Sequence, residues 1–155
     1  MEGQQAPHFE LDGIDENGIE KKFTLSDFLS TGKPLVLYFY PKDNTPGCTT
    51  EACDFRDNMA AVKPKATVCA ISPDNAASHR KFMNNHTLNF PILSDTDKKT
   101  LEAYGAWGEK KMYGKTAKGV IRSTFIISPD GKILKHWRAV KVKGHVAAVL
   151  QALNS

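Results

Sequence analysis

Two of the chain's three cysteines, Cys48 and Cys53, stand five residues apart in the stretch FYPKDNTPGCTTEAC, directly after Thr45-Pro46-Gly47. That setting suits thiol chemistry. Thr45 can cap a helix, proline is favoured at a first helical position, and Cys48 then falls within the first turn. Backbone N–H groups there lack intrahelical partners and form the positive end of the helix dipole, which favours a thiolate over a thiol. A small residue opening a helix would look the same, so Cys48 alone decides nothing. Cys53 adds weight. In an intact helix, residues five apart have Cα atoms roughly 8–9 Å apart, beyond the ~7 Å that a disulfide tolerates. The two can join only if the first turns unwind, and no Cys-x-x-Cys redox motif is present.

Other chemistries fit less well. Zinc would want a second close Cys/His pair, and the gap between Cys48 and Cys53 is at the wide end of ligand spacing. An odd cysteine count argues against a disulfide framework. Cys69, in TVCAI, reads as a small core residue of a buried strand. His79 and His86 lie seven apart on a polar helix, His8 near a terminus, His136 in a strand and His145 at a helix start, so no metal site is expected. Trp107 and Trp137 read as core or loop anchors, with Trp107 close enough to a helix stop to lie near the site.

The elements that must position Cys48 can be read from pattern. Residues 8–24 suit a hairpin turning at Asn17-Gly18, and Thr24-Leu25-Ser26-Asp27 is a capping signal for a short helix ending before Gly32-Lys33-Pro34. The apolar run Pro34–Tyr40 suits a strand buried on both faces. Cys48 to about Val62 reads as one helix, with Ala52, Phe55, Met59 and Val62 at helical spacing. Thr67–Ile71 follows as a strand, 75–86 as a helix with Phe82 and Met83 inward, Phe90–Leu93 as a strand and Lys98–Tyr104 as a helix stopped by Gly105. Ser123–Ser128 and Lys132–Trp137 are strands joined by the turn Pro129-Asp130-Gly131. Val146, Val149, Leu150 and Leu153 mark a final helix. This order predicts an α/β fold with a mixed central sheet flanked by helices, parallel where crossovers occur and antiparallel at the late hairpin.

The 155 residues fit one domain. The chain is 41% hydrophobic and 25% charged, with no biased tract. Its longest apolar run, Leu35–Tyr40, is too short to cross a bilayer, and MEGQQAPHFE lacks the flanks of a secretory signal. A cytoplasmic protein without membrane attachment is expected. Net charge is +4, but the basic residues are scattered. The densest run, Lys110 to Lys118, is broken by Tyr113 and Gly114 and reads as a solvated loop rather than a nucleic-acid patch.

FYPKDNTPGCTTEAC resembles the active-site segment of the peroxiredoxins, whose pattern Pro-x-x-x-Thr-x-x-Cys is met here by Pro41, Thr45 and Cys48. A second cysteine five residues on is similar to the bacterioferritin-comigratory-protein, or Q-type, subfamily. FPILSD, YGAWGEKKMYGK, GVIRSTFIISPDGKI and VKVKGHVAAVL resemble the same subfamily, so the likeness covers nearly the whole chain. It implies one thioredoxin-like domain over residues 1–155 and thiol-dependent reduction of hydrogen peroxide and organic hydroperoxides. It further implies Cys48 as the peroxidatic cysteine and Cys53 as the resolving one, joined in an intramolecular disulfide. Thr45 would contact Cys48 and the peroxide, Pro41 would shield the thiolate, and Arg122 would be the active-site arginine. Glu51 would be a supporting carboxylate, and backbone N–H groups at Gly47 and Cys48 would complete the contacts to oxygen. The implied electron donor is thioredoxin, or a glutaredoxin-like protein. The implied state is a monomer that needs no metal, flavin or haem. The rival reading on this fold is a thiol–disulfide oxidoreductase without peroxidase activity. Beyond it stand a non-catalytic binding module and a zinc-structured domain.

Overall fold

The computed structural model describes residues 1–112 and 114–154, with only the backbone described at Lys111 and Met112. The apolar run predicted as a doubly buried strand is β3 (Leu35–Phe39), and all five of its residues are buried. It lies at the centre because neither of its faces can be given to water. β4 (Thr67–Ser72) pairs parallel to it on one side, and β8 (Ser123–Ile127) pairs antiparallel on the other. β5 (Ile92–Ser94) extends the parallel part, and β9 (Ile133–Arg138) extends the antiparallel part through the late hairpin. The N-terminal hairpin, β1 (Glu10–Ile14) with β2 (Glu20–Thr24), joins the same sheet by pairing β1 with β5. The order is β2-β1-β5-β4-β3-β8-β9, the mixed sheet expected from the element order.

Side chains of β3 alternate between two cores. Val36, Tyr38 and Tyr40 enter a cluster with Cys48, Ala52, Phe55, Phe82 and Val149. Leu35, Leu37 and Phe39 enter another with Phe9, Phe28, Cys69, Tyr104 and Phe125. The helices α1 (Leu25–Leu29), α2 (Pro46–Asp57), α3 (Met59–Val62), α4 (Ala76–His86), α5 (Lys99–Ala103) and α6 (His145–Leu153) flank the sheet. The capping signal at Thr24 is realised as a reciprocal box: Asp27 N–H donates to Thr24 Oγ1 at 3.1 Å and Thr24 N–H to Asp27 Oδ2 at 2.9 Å.

Three expectations need correction. The single helix from Cys48 to Val62 is interrupted at Asn58, whose φ and ψ of −100° and 6° leave the helical region. Its side-chain amide donates to the Asp54 carbonyl at 2.8 Å, the local competition that makes asparagine a poor helix-interior residue. The basic run Lys110 to Lys118 is not a loop but part of a two-stranded sheet of β6 (Trp107–Met112) and β7 (Lys115–Val120); Tyr113, within that run, lies outside the described residues. Finally, His79 is not on a polar face. It is fully buried, three and four residues from the inward-facing Phe82 and Met83. Among the described residues no helix is long and apolar enough to cross a membrane.

Candidate active site

Thr45 occupies the N-cap position of α2 and Pro46 the first helical position, so Cys48 stands in the first turn as the sequence predicts. The Thr45 hydroxyl makes no cap, however. It donates to the Lys42 carbonyl at 2.8 Å and so tightens the loop ahead of the helix. The first intrahelical bond is Thr49 N–H to Thr45 O, 2.8 Å, which leaves the N–H groups of Gly47 and Cys48 ahead of the ladder.

Arg122 lies 74 residues away in sequence, between β7 and β8. Its carbonyl accepts from Val140 N–H at 3.0 Å, which fixes the segment from which the side chain reaches over α2. Nη2 donates to Cys48 Sγ at 3.2 Å and Nη1 to Glu51 Oε1 at 2.6 Å. One planar guanidinium thus orients a thiol and a carboxylate together. Burial acts against the Arg122 charge, but Glu51 and Cys48 outweigh it and hold the group above its ordinary value. Glu51 is fully buried. Burial pushes its carboxyl up to about 7 against the pull of Arg122, and its Oε2 has no hydrogen-bond partner among the described residues.

Cys48 is 2% exposed, and Cys53 is half-buried on the same helix. Both are free thiols, as is Cys69, whose thiol burial alone raises well above its ordinary value. Half-buried Pro41 and Arg122 share the wall of a cleft of about 400 Å³ with Ile121, Arg138 and Val140. A larger groove of about 550 Å³ runs between Phe23, Phe28, Met59 and Phe90 and has none of the candidate site residues in its wall. Gly47 is where close approach matters, since a Cβ there would come within 3.3 Å of Arg122 Nη2.

The structure therefore brings Cys48, Glu51, Arg122 and Gly47 together, with Pro41 at the adjoining cleft and Thr45 in the preceding loop. The sequence shows His145 only as a helix start. It is buried beside this group, with Nε2 2.8 Å from Thr124 Oγ1; burial and then Arg122 push it down to about 4. Nothing in its sequence setting marks it. Asp43, Asp74 and His79 bring potential metal-binding atoms within 4.8 Å of one another, but those atoms are already engaged in hydrogen bonds with each other's residues and with Ser72 and Ser78.

Residues 2–136 match the AhpC/TSA family. The peroxiredoxin Bcp of Bacillus subtilis is 49% identical over 153 residues, 98% of this chain and 94% of that protein. The chain is a peroxiredoxin of the Bcp, or Q, type. Solved structures agree. The bacterioferritin comigratory protein of Xanthomonas campestris, described for its alkyl peroxide reduction activity, is 40% identical and superposes with a TM-score of 0.83 over 93% of this chain and 90% of its own. A mutant peroxiredoxin Q of Xylella fastidiosa is 39% identical, with a TM-score of 0.86 over 99% and 95%. This peroxiredoxin is thus a thiol-dependent peroxidase on a thioredoxin-like fold. The reading of an oxidoreductase without peroxidase activity is set aside.

Proposed function

We propose that Cys48 is the peroxidatic cysteine and Cys53 the resolving one, in a single domain over residues 1–155. The observation that carries this reading is the Arg122 guanidinium, 3.2 Å from Cys48 Sγ and braced by Glu51. A permanently charged donor beside sulfur favours the anion, and the same donor can receive charge from a departing oxygen. The Cys48 thiolate attacks one oxygen of a hydroperoxide. An S–O bond forms, the O–O bond breaks, and the leaving oxygen takes a proton to depart as water or an alcohol, with Cys48 left as a sulfenic acid. The Cys53 sulfur then attacks Cys48 Sγ, forming the disulfide and releasing water. An external dithiol supplies two electrons and two protons by exchange through a mixed disulfide.

The proposed donor is thioredoxin, and the proposed setting is a cytoplasmic monomer; the likeness to the Q-type subfamily supports both. Pro41 limits water at the sulfur from the cleft side, and Thr45, together with the free N–H groups of Gly47 and Cys48, contacts the peroxide oxygens. Adding one equivalent of hydrogen peroxide to reduced protein, blocking the remaining thiols and mapping peptides by mass tests the assignment. A Cys48–Cys53 disulfide with Cys69 alkylated is the expected product. Both cysteines recovered alkylated would overturn the assignment, and a sulfenic acid on Cys48 without a disulfide would remove Cys53 from its role.

A further inference from the structure

Five residues ahead of Cys48 the chain makes a buried attachment that thiol chemistry leaves unexplained. Asp43 lies in the loop between β3 and α2. Its Oδ1 accepts from the Tyr40 hydroxyl, and its Oδ2 accepts from the Ser78 hydroxyl at 2.8 Å and from His79 Nδ1 at 2.7 Å. The Asp43 N–H donates to Asp74 Oδ2 at 2.8 Å, and the Ser72 hydroxyl holds that same oxygen at 2.9 Å. His79 Nε2 donates to the Leu93 carbonyl at 3.0 Å. Both ring nitrogens are therefore engaged by oxygen atoms. The side chains of His79 and Asp43 are 0% and 1% exposed. One histidine therefore ties the loop that opens the cysteine helix to α4 and β5.

Asn44, the next residue, has a φ of 58°, a left-handed conformation that asparagine adopts more readily than other non-glycine residues. Thr45 and Pro46 follow directly as N-cap and first helical residue. Unwinding the first turns of α2 moves this loop, and moving it breaks the buried hydrogen bonds that Asp43 makes to α4.

We propose that His79 is a positioning residue for Cys48. Acting through Asp43, it holds the Pro41–Thr45 loop and sets the balance between the wound helix, in which Cys48 meets Arg122, and the unwound one, in which Cys53 reaches Cys48. The inference rests on the Cys48–Cys53 assignment above.

The two nitrogens of His79 can be removed separately. In His79→Asn the side-chain amide replaces Nδ1 and keeps a donor for Asp43, whereas in His79→Gln it replaces Nε2 and keeps only the donor for Leu93. Single-turnover stopped-flow with hydrogen peroxide, followed by quenching and mass analysis, separates attack by Cys48 from closure of the disulfide. In His79→Gln the attack slows by on the order of tenfold, as loss of one buried hydrogen bond predicts, while disulfide closure speeds up. A smaller share of Cys48 then reaches the sulfinic acid at high peroxide. His79→Asn keeps more of the wild-type balance. Ser78→Ala, which removes a single hydroxyl from Asp43 Oδ2 and leaves α4 intact, shifts the two steps the same way to a lesser degree and serves if His79→Gln does not fold. Steps that change in the same direction, or Asn and Gln variants that behave alike, overturn the inference. Wild-type protein without a Cys48–Cys53 linkage overturns the assignment beneath it as well; a linkage in wild type with an unshifted balance in His79→Gln and Ser78→Ala overturns this inference alone.

Discussion

Glu51 carries opposed forces on one carboxyl group: Oε1 is bonded to Arg122, while Oε2 is buried without a partner among the described residues. Burial raises its folded value from 4.5 to about 7. Between those values the folded chain holds a proton that the unfolded chain has released, so stability falls as pH rises. The contribution is complete below about 4.5 and lost as pH passes about 7, and its ceiling is about 3 kcal/mol. Glu51→Gln is expected to flatten this part of the profile, measured by urea unfolding at pH 5 and pH 8. A slope unchanged from wild type would assign the effect to another group. At Arg122 the fork geometry matters as much as the charge. Arg122→Lys keeps the cation but cannot hold Cys48 and Glu51 together, and the rate of thiol loss with one equivalent of peroxide should fall by about 10²-fold. A rate within a factor of two of wild type would show that charge alone suffices. The placement of Cys48 in the first turn of α2, with Cys53 on the same helix, was legible from spacing and helix-start chemistry; the approach of Arg122 to Cys48 was legible only through the family likeness, because nothing in the sequence shows that residue 122 crosses over α2. His79 left a trace that pattern reading can use: its spacing from Phe82 and Met83 places it on the buried face of α4.

The helix α2 is attached differently at its two ends. Near its C-terminus Phe55 stacks on Tyr38, with ring centroids 4.8 Å apart and planes inclined by 15°; at its start Cys48 enters the same cluster and also meets the polar group around Arg122. Gly47 lies at that start. Gly47→Ala places a methyl carbon 3.3 Å from Arg122 Nη2, and the guanidinium must give way. We expect the rate of peroxide consumption to fall several-fold while the thermal midpoint stays within about 2 °C of wild type, the span of a small stability change. Loss of both together would mean that the added methyl disrupts the helix rather than the arginine. Elements with strong apolar patterns, such as β3, β8 and α6, were readable from the sequence because one or both of their faces must be hidden. The β6–β7 hairpin was not. Its described β7 side chains from Lys115 to Lys118 are exposed, so no alternation of apolar and polar residues announces a strand.

At the scale of the whole molecule the sheet separates two buried clusters of the described residues, and Cys48 belongs to one of them. Tyr38 and Cys48 belong to the same cluster, while Leu37, the neighbouring residue of β3, belongs to the cluster on the opposite face. Leu37→Ala and Tyr38→Ala are each expected to cost roughly 2–5 kcal/mol of stability. Their effects on chemistry should part: folded Leu37→Ala reacts with peroxide at the wild-type rate, and Tyr38→Ala, which removes the ring beneath α2, reacts more slowly. Equal rates in the two variants would show that the faces are not independent. Another long-range attachment concerns how the chain is made. Gly3 N–H donates to the Ile133 carbonyl at 2.7 Å and Ala6 N–H to the Gly131 carbonyl at 2.8 Å, before the chain enters β1 on the other side of β3 and β4. At ordinary rates of protein synthesis, the partners of Ala6 leave the ribosome roughly 6–25 s after Ala6 itself. Ala6 is thus fastened long after it is made. Through that interval Ala6, which ends buried, waits in the open for the hairpin that will hold it.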